Sequence, residues 1–353
     1  MNTFYTGQVP GRTVQTPGGE RLWCSGTSYL GMAGNAVFRE RVLEGLTQTG
    51  TNWGSSRSNT LRLKVYEQAE TALADWTGAP AALTVSSGML AGQTAIQWLT
   101  GSLPKASFYY SPTSHPAVRG PRFSVSADDN WFGTLADRIR KDRAADIVIV
   151  TDSIGSPHVE PVPFDWISQL PDHKRITLLV DDSHGIGVFG EGGRGIYKQL
   201  THHQLVRVFV VASLNKALGV PAGVILGPAA DLAAIRQFPM FTGASPASPG
   251  FLWALTQSFG LYEAAHAQLM ASVRAFTELI APNLLSLRWF ERYPAFTTTQ
   301  AGLHEFLETE GILTACFPYP GPNDPAITRL VITPLHTPED LVTIARALNR
   351  FFA

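Results

Sequence analysis

Charge is scarce in this sequence: 16% of its 353 residues are Asp, Glu, Lys or Arg, and they balance to a net charge of −1. A polyanionic partner needs a basic face, so the balance gives no reason to expect nucleic acid or an anionic membrane surface. Cysteine is nearly absent. Cys24 and Cys316 are too few and too far apart for a disulfide framework, and no metal site is expected. No run of about 18 apolar residues occurs, which excludes a spanning helix. The opening MNTFYTGQVPGRTVQ lacks the apolar stretch of a secretory signal, so a cytoplasmic protein is the expectation. Repeats and low-complexity tracts are missing as well.

What the chain has in quantity is apolar surface to bury. Its 44% hydrophobic content and its length exceed one comfortable core and predict two subdomains. Residues 1–35, rich in Gly, Thr and Pro, read as an irregular arm; 36–245 read as an α/β large domain and 246–353 as a smaller α+β domain. From Asn35 to about Gly78 the apolar spacing is helical. The runs AALTV, ADIVIVT, RITLLVDD and VRVFVVAS then alternate with helical stretches. Continuous apolar runs of this kind predict parallel strands covered on both faces. A helical segment from Phe251 to about Ala281 and β-like pieces such as TRLVITPL complete the pattern.

Doubly wound sheets hold ligands at the carboxyl ends of their strands. Gly185-Ile-Gly187-Val-Phe-Gly190 matches G-x-G-x-x-G, but a dinucleotide fold needs that motif directly between strand and helix. Asp181, Asp182, Ser183 and His184 intervene, so the nicotinamide reading fails. The stretch VFVVASLNKALGVPAGVILG carries a single charge, Lys216. An unpaired ammonium is costly to bury, whereas a neutral amine in a dry pocket is a nucleophile that forms a Schiff base with a carbonyl. Pyridoxal 5′-phosphate is the common carbonyl cofactor held this way, and it needs an acid at its ring nitrogen. Asp181 suits that part. Ser86, Ser87 and Gly88, between a strand and an apolar-periodic helix, suit the phosphate, and Ser213 adds a hydroxyl.

Read singly, each residue has a plainer explanation: a solvated lysine, a capping aspartate, a loop histidine. Together, TVSSGMLAGQ, SHPA, VDDSHGIGVFGEGGRG, VASLNKALGVPAG and RLVITPLHTPEDL resemble, in that order along the chain, the α-oxoamine synthases, pyridoxal-phosphate enzymes of fold type I. The resemblance implies an aspartate-aminotransferase-like α/β fold with a mostly parallel sheet, and a homodimer with shared active sites. It implies that Lys216 holds the cofactor and serves as acid and base, and that Asp181 pairs with the ring nitrogen. By the same resemblance His115 stacks on the ring, and His184 and Ser156 approach its phenolic oxygen. Ser87, Gly88, Met89 and Ser213 lie by the phosphate, Ser245 reaches the neighbouring subunit's phosphate, and Arg329 grips an amino-acid carboxylate. The substrate-facing stretches depart from the pattern. Thr27 replaces a usual asparagine, Ser114-His115-Pro116-Ala117 replaces Asn-His-Ala-Ser, SADDNWFG replaces a His-Asn-Asp block, and GTNWGSSRSNT is poor in glycine. The implied reaction is a decarboxylating condensation of an amino acid with an acyl-CoA thioester. A transaminase or carbon–carbon lyase, and a pyridoxal-phosphate-binding protein without catalysis, are the alternatives these departures leave.

Overall fold

The computed structural model describes residues 4–124, 128, 130–155, 157, 159–202, 206–281, 286–319 and 323–353. Ser156 lies outside them. The central sheet, among the described residues, runs β3 (Ala81–Val85), β10 (Gly223–Gly227), β9 (Val206–Ser213), β8 (Arg175–Asp181), β5 (Asp146–Asp152) and β4 (Ser107–Tyr110). Strands β4, β5, β8 and β9 are parallel, and β10 is antiparallel to both its neighbours. Ile147, Val148, Ile149 and Val150 of β5 are wholly buried. Helices on both faces leave a parallel strand no solvent side, which is why these β-branched runs do not alternate with polar residues. This is the α/β architecture the sequence predicts.

The second sheet runs β1 (Thr13–Thr16), β2 (Gly19–Cys24), β13 (Ile312–Pro318), β14 (Ala326–Val331), β12 (Ala295–Thr298) and β11 (Arg288–Trp289). A short ribbon, β6 (Ile154–Gly155) with β7 (Glu160–Pro161), lies beside β5. Two expectations change here. The N-terminal stretch is no irregular arm: β1 and β2 form a hairpin, and β2 pairs in parallel with β13. The helical stretch 35–78 is two helices, α1 (Ala36–Thr49) and α2 (Lys64–Thr77). Gly50, with φ of 86°, ends the first, a backbone state that glycine adopts without the Cβ penalty.

Helix α3 (Gly88–Ser102) covers the central sheet, with α4 (Trp131–Lys141), α5 (Tyr197–Leu200), α6 (Ala229–Ile235), α7 (Pro239–Thr242) and α8 (Pro249–Thr256) around it. The long α9 (Phe259–Leu279), α10 (Leu303–Thr309) and α11 (Pro338–Phe352) accompany the second sheet. Helix α11 opens on a capping box between Thr337 and Asp340, and Asp340 also holds Arg12 at 2.9 Å. Two buried groups on α9 reach toward the functional loops. Tyr262 donates to the Leu218 carbonyl (3.1 Å), and His266 Nε2 lies 3.0 Å from the Val188 carbonyl.

Candidate active site

The carboxyl ends of the parallel strands open on a small cleft lined by His115, Asp152, Ile154, Asp181, Ser183, His184 and Lys216. Four of these are residues the sequence singles out: His115, Asp181, His184 and Lys216. Asp181 ends β8, and its Oδ1 accepts the Ser183 backbone N–H at 2.9 Å. Ser183 Oγ accepts the Ser213 N–H at 2.8 Å, which ties the ends of β8 and β9 together. The next residue, Asp182, turns away from the cleft. It accepts the Ser153 hydroxyl and the Ile196 N–H, and burial lifts its carboxyl to about 7.

Lys216 stands in the turn after β9, closed by the Val220 N–H donating to the Leu214 carbonyl at 3.0 Å. Its neighbours Leu214, Ala217 and Leu218 are fully buried. Among the described residues its ammonium has no hydrogen bond or ion pair. Burial draws its pKa below the lysine range, Asp181 opposes that, Arg329 adds to it and Asp152 opposes it. A lysine poised toward its neutral form is what amine nucleophilicity requires.

The two histidines are held differently. His115 begins a short turn over Pro116–Val118, and its Nδ1 accepts the Ala117 N–H at 3.2 Å. A nitrogen that accepts a hydrogen bond carries no proton, so the approach to Asp181 Oδ2 at 3.8 Å is not a charged pair; burial lowers the ring's pKa accordingly. Proline after this histidine suits the first position of the turn, where its missing N–H costs nothing. His184 is pushed well below the usual imidazole range, first by burial and then by Lys216, Arg329 and His115. Its Nδ1 meets the Tyr29 hydroxyl at 2.8 Å, and Tyr293 donates to its carbonyl at 2.9 Å. Burial raises both phenols; with the Tyr29 hydroxyl as donor to Nδ1, the ring proton stands on Nε2.

Ser87 caps α3, its Oγ accepting the Leu90 N–H at 3.1 Å. A Cβ on Gly88 would fall 2.5 Å from Ser213 Cβ, so only glycine lets the helix start approach β9 this closely. Met89 follows, 49% exposed. Arg329 on β14 is 9% exposed, its Nε has no hydrogen-bond partner among the described residues, and its guanidinium lies 5.3 Å from the Phe317 ring centroid. Its charge acts on Lys216, His184, Tyr29 and Tyr293. Thr27 and the exposed Ser245 do not line the cleft.

Sequence reasoning missed Tyr29, Tyr293 and Asp152. Asp152 carried a signal: it ends an apolar run, DIVIVTD, as Asp181 ends RITLLVD. Their register sets them side by side on adjacent strands.

Residues 22–348 match the family "Aminotransferase class I and II". The chain is 30% identical to an 8-amino-7-oxononanoate synthase of Mycolicibacterium vanbaalenii, over 95% of this chain and 91% of that protein. It is 27% identical to one of Fervidobacterium nodosum, over 94% and 90%. In three dimensions it is similar to a serine palmitoyltransferase of Sphingomonas wittichii, with a TM-score of 0.86 over 99% of this chain and 91% of that one at 18% identity. The chain therefore belongs to the class I and II aminotransferase family and, within it, to the α-oxoamine synthases, pyridoxal-phosphate enzymes of fold type I. It is accordingly a pyridoxal-phosphate-dependent transferase.

The residues present fit that group. A cradle that a Cβ would fill stands at the start of α3, a lysine without a partner among the described residues faces the cleft, and a buried carboxylate ends the neighbouring strand.

Proposed function

We propose that this chain joins an amino acid to an acyl thioester of the coenzyme A type, releasing the thiol and carbon dioxide and leaving an α-amino ketone. The observation that carries the reading is Lys216, unpaired among the described residues and facing Asp181, His115 and His184 in one cleft. The names of the two curated relatives, each denoting an amino-oxo acid, favour this reaction over transamination. By the family resemblance the departures at Thr27 and around GTNWGSSRSNT fall in substrate-facing stretches, so the substrate is where this chain would differ from those relatives.

Lys216 would hold the cofactor, with Asp181 keeping a proton on its ring nitrogen. His115 would cover the ring, and His184 would offer Nε2–H to its phenolic oxygen. The N–H groups at Gly88 and Met89, with the hydroxyls of Ser87 and Ser213, would take the phosphate. When bound, the cofactor's aldehyde carbon accepts an amine and its protonated ring draws electrons from the bonds at the amino acid's α-carbon. Arg329 would grip the carboxylate with its planar fork, which a lysine could not match. Lys216, freed by the incoming amine, would remove the α-proton. Attack of that carbon on the thioester expels the thiol, and carbon dioxide leaves with the carboxylate carbon.

Ser245 is exposed and outside the cleft; by the family resemblance it would act at the phosphate of a second copy in a homodimer. Among the described residues no helix is long and apolar enough to cross a membrane. The test is borohydride reduction of the protein loaded with pyridoxal phosphate, followed by peptide mapping and a screen of amino acids against acyl-CoA thioesters. Label on the Lys216 peptide together with thiol release is the expected result. A lysine that stays unlabelled removes the reading.

A further inference from the structure

Asp152 is 3% exposed and lines the same cleft as Asp181. Its Oδ1 accepts the His115 backbone N–H at 3.1 Å, while its Oδ2 is buried without a hydrogen-bond partner among the described residues. Strand register puts it directly beside Asp181. Two carboxylates crowded into one water-poor site do not both ionise, and one keeps a proton. Asp181 Oδ1 accepts the Ser183 N–H, and its Oδ2, unlike that of Asp152, is not sealed away without a partner. An ionised Oδ2 on Asp152 would be a buried charge with no hydrogen bond, the costlier arrangement.

We propose that Asp152 is a positioning residue of this site: it carries the proton of the Asp152–Asp181 pair, and through Oδ1 it fixes the backbone of His115 over the cleft. The inference rests on the proposed function only where it concerns the cofactor. Burial and then Asp181 raise the Asp152 pKa, the His115 N–H lowers it, and Lys216 and Arg119 lower it further. Arg119 is engaged with the Ser114 carbonyl at 2.8 Å, and Lys216 is itself drawn toward neutrality. Asp152 thus leaves the pair with a single negative charge, the one Asp181 would turn to the cofactor ring. It also spares Lys216 a second anion, which would hold the amine protonated.

Difference infrared spectroscopy of the cofactor-free protein reads the proton directly. Parent and Asp152→Asn are compared at the same near-neutral pH, so that the Asp182 carboxyl, present in both, cancels in the difference. A protonated-carboxyl band that vanishes in Asp152→Asn is the expected result; a spectrum unchanged by the substitution overturns the proposal. Cofactor titration gives the second readout. Asp152→Asn, which keeps an oxygen for the His115 N–H and a donor in place of the acid, binds pyridoxal phosphate within about twofold of the parent. Asp152→Ala, which leaves that N–H unmet, weakens binding about tenfold. Equal loss in both variants would mean that Asp152 works as an anion, and no loss in either would mean that it positions nothing; each sinks the proposal. Should Lys216 fail to take the cofactor, the proposed function falls while the infrared result stands.

Discussion

Cys24, His336 and Asp340 lie together beside the second sheet much as Lys216, His115 and Asp181 lie together at the end of the first. Each group has a nucleophile, an imidazole and a carboxylate. In the former, Cys24 is fully buried with its Sγ 3.6 Å from His336 Nε2. His336 Nδ1 accepts the Thr333 N–H at 3.0 Å, so Nε2 carries the ring proton and faces the Trp23 carbonyl at 3.2 Å. That nitrogen cannot take a proton from the thiol, which burial pushes above its ordinary range. Asp340 is occupied by Arg12 and by its capping box. In the latter cleft, among the described residues, Lys216 has no partner and the neighbouring Asp152 has its Oδ2 unmet. Satisfied buried polar groups hold a fold together; unsatisfied ones that share a cleft mark where a ligand completes them.

The sharpest break is Lys216→Ala. Turnover falls by about 10³-fold or more, measured as thiol release, while Tm holds or rises because a desolvated amine has gone. Gly88→Ala comes next: the added methyl, 2.5 Å from Ser213 Cβ, lowers cofactor affinity and costs about 1–3 kcal/mol of stability in urea unfolding. On the inert side, Cys24→Ala leaves turnover at the parent value and costs about 1–2 kcal/mol through the lost burial. Iodoacetamide does not label Cys24 in the folded protein. Tyr29→Phe removes the donor to His184 Nδ1 and frees the tautomer, so turnover falls about tenfold or less, with a shift in the pH dependence of the bound cofactor's visible band.

Asp182 supplies a comparison in pH. The folded chain keeps this proton up to about pH 7, whereas the group's ordinary value is 3.8. The folded state therefore binds more protons between those values, and this group's contribution to stability, complete below pH 3.8, declines as the pH rises to about 7. Urea unfolding across that window shows the slope, and Asp182→Asn flattens it.

The central sheet was legible because β5, β8 and β9 are unbroken β-branched runs, a pattern only burial on both faces demands. Asp181 and Lys216 were legible because their blocks carry strong spacing. The hairpin of β1 and β2 was not, since its sheet partner β13 comes from the other end of the chain and no local periodicity signals it. The break at Gly50 hid within an otherwise helical spacing. Tyr29 and Tyr293 become site residues only through a tertiary contact with His184, which composition and period do not encode. Asp152 could have been read by the rule applied to Asp181, that an acid closing an apolar strand faces the ligand end.

The parallel pairing of β2 with β13 also sets an order of assembly. During synthesis the strands of the central sheet emerge in full and can pair before β13 and β14 exist, because domains fold as units while the chain lengthens. Strand β2 must wait for a neighbour made near the end. Tyr29 from the early segment, which meets His184, and Arg329 from the late one, whose charge acts on Lys216, then take their places together, so a shortened chain would hold its lysine in unfinished surroundings.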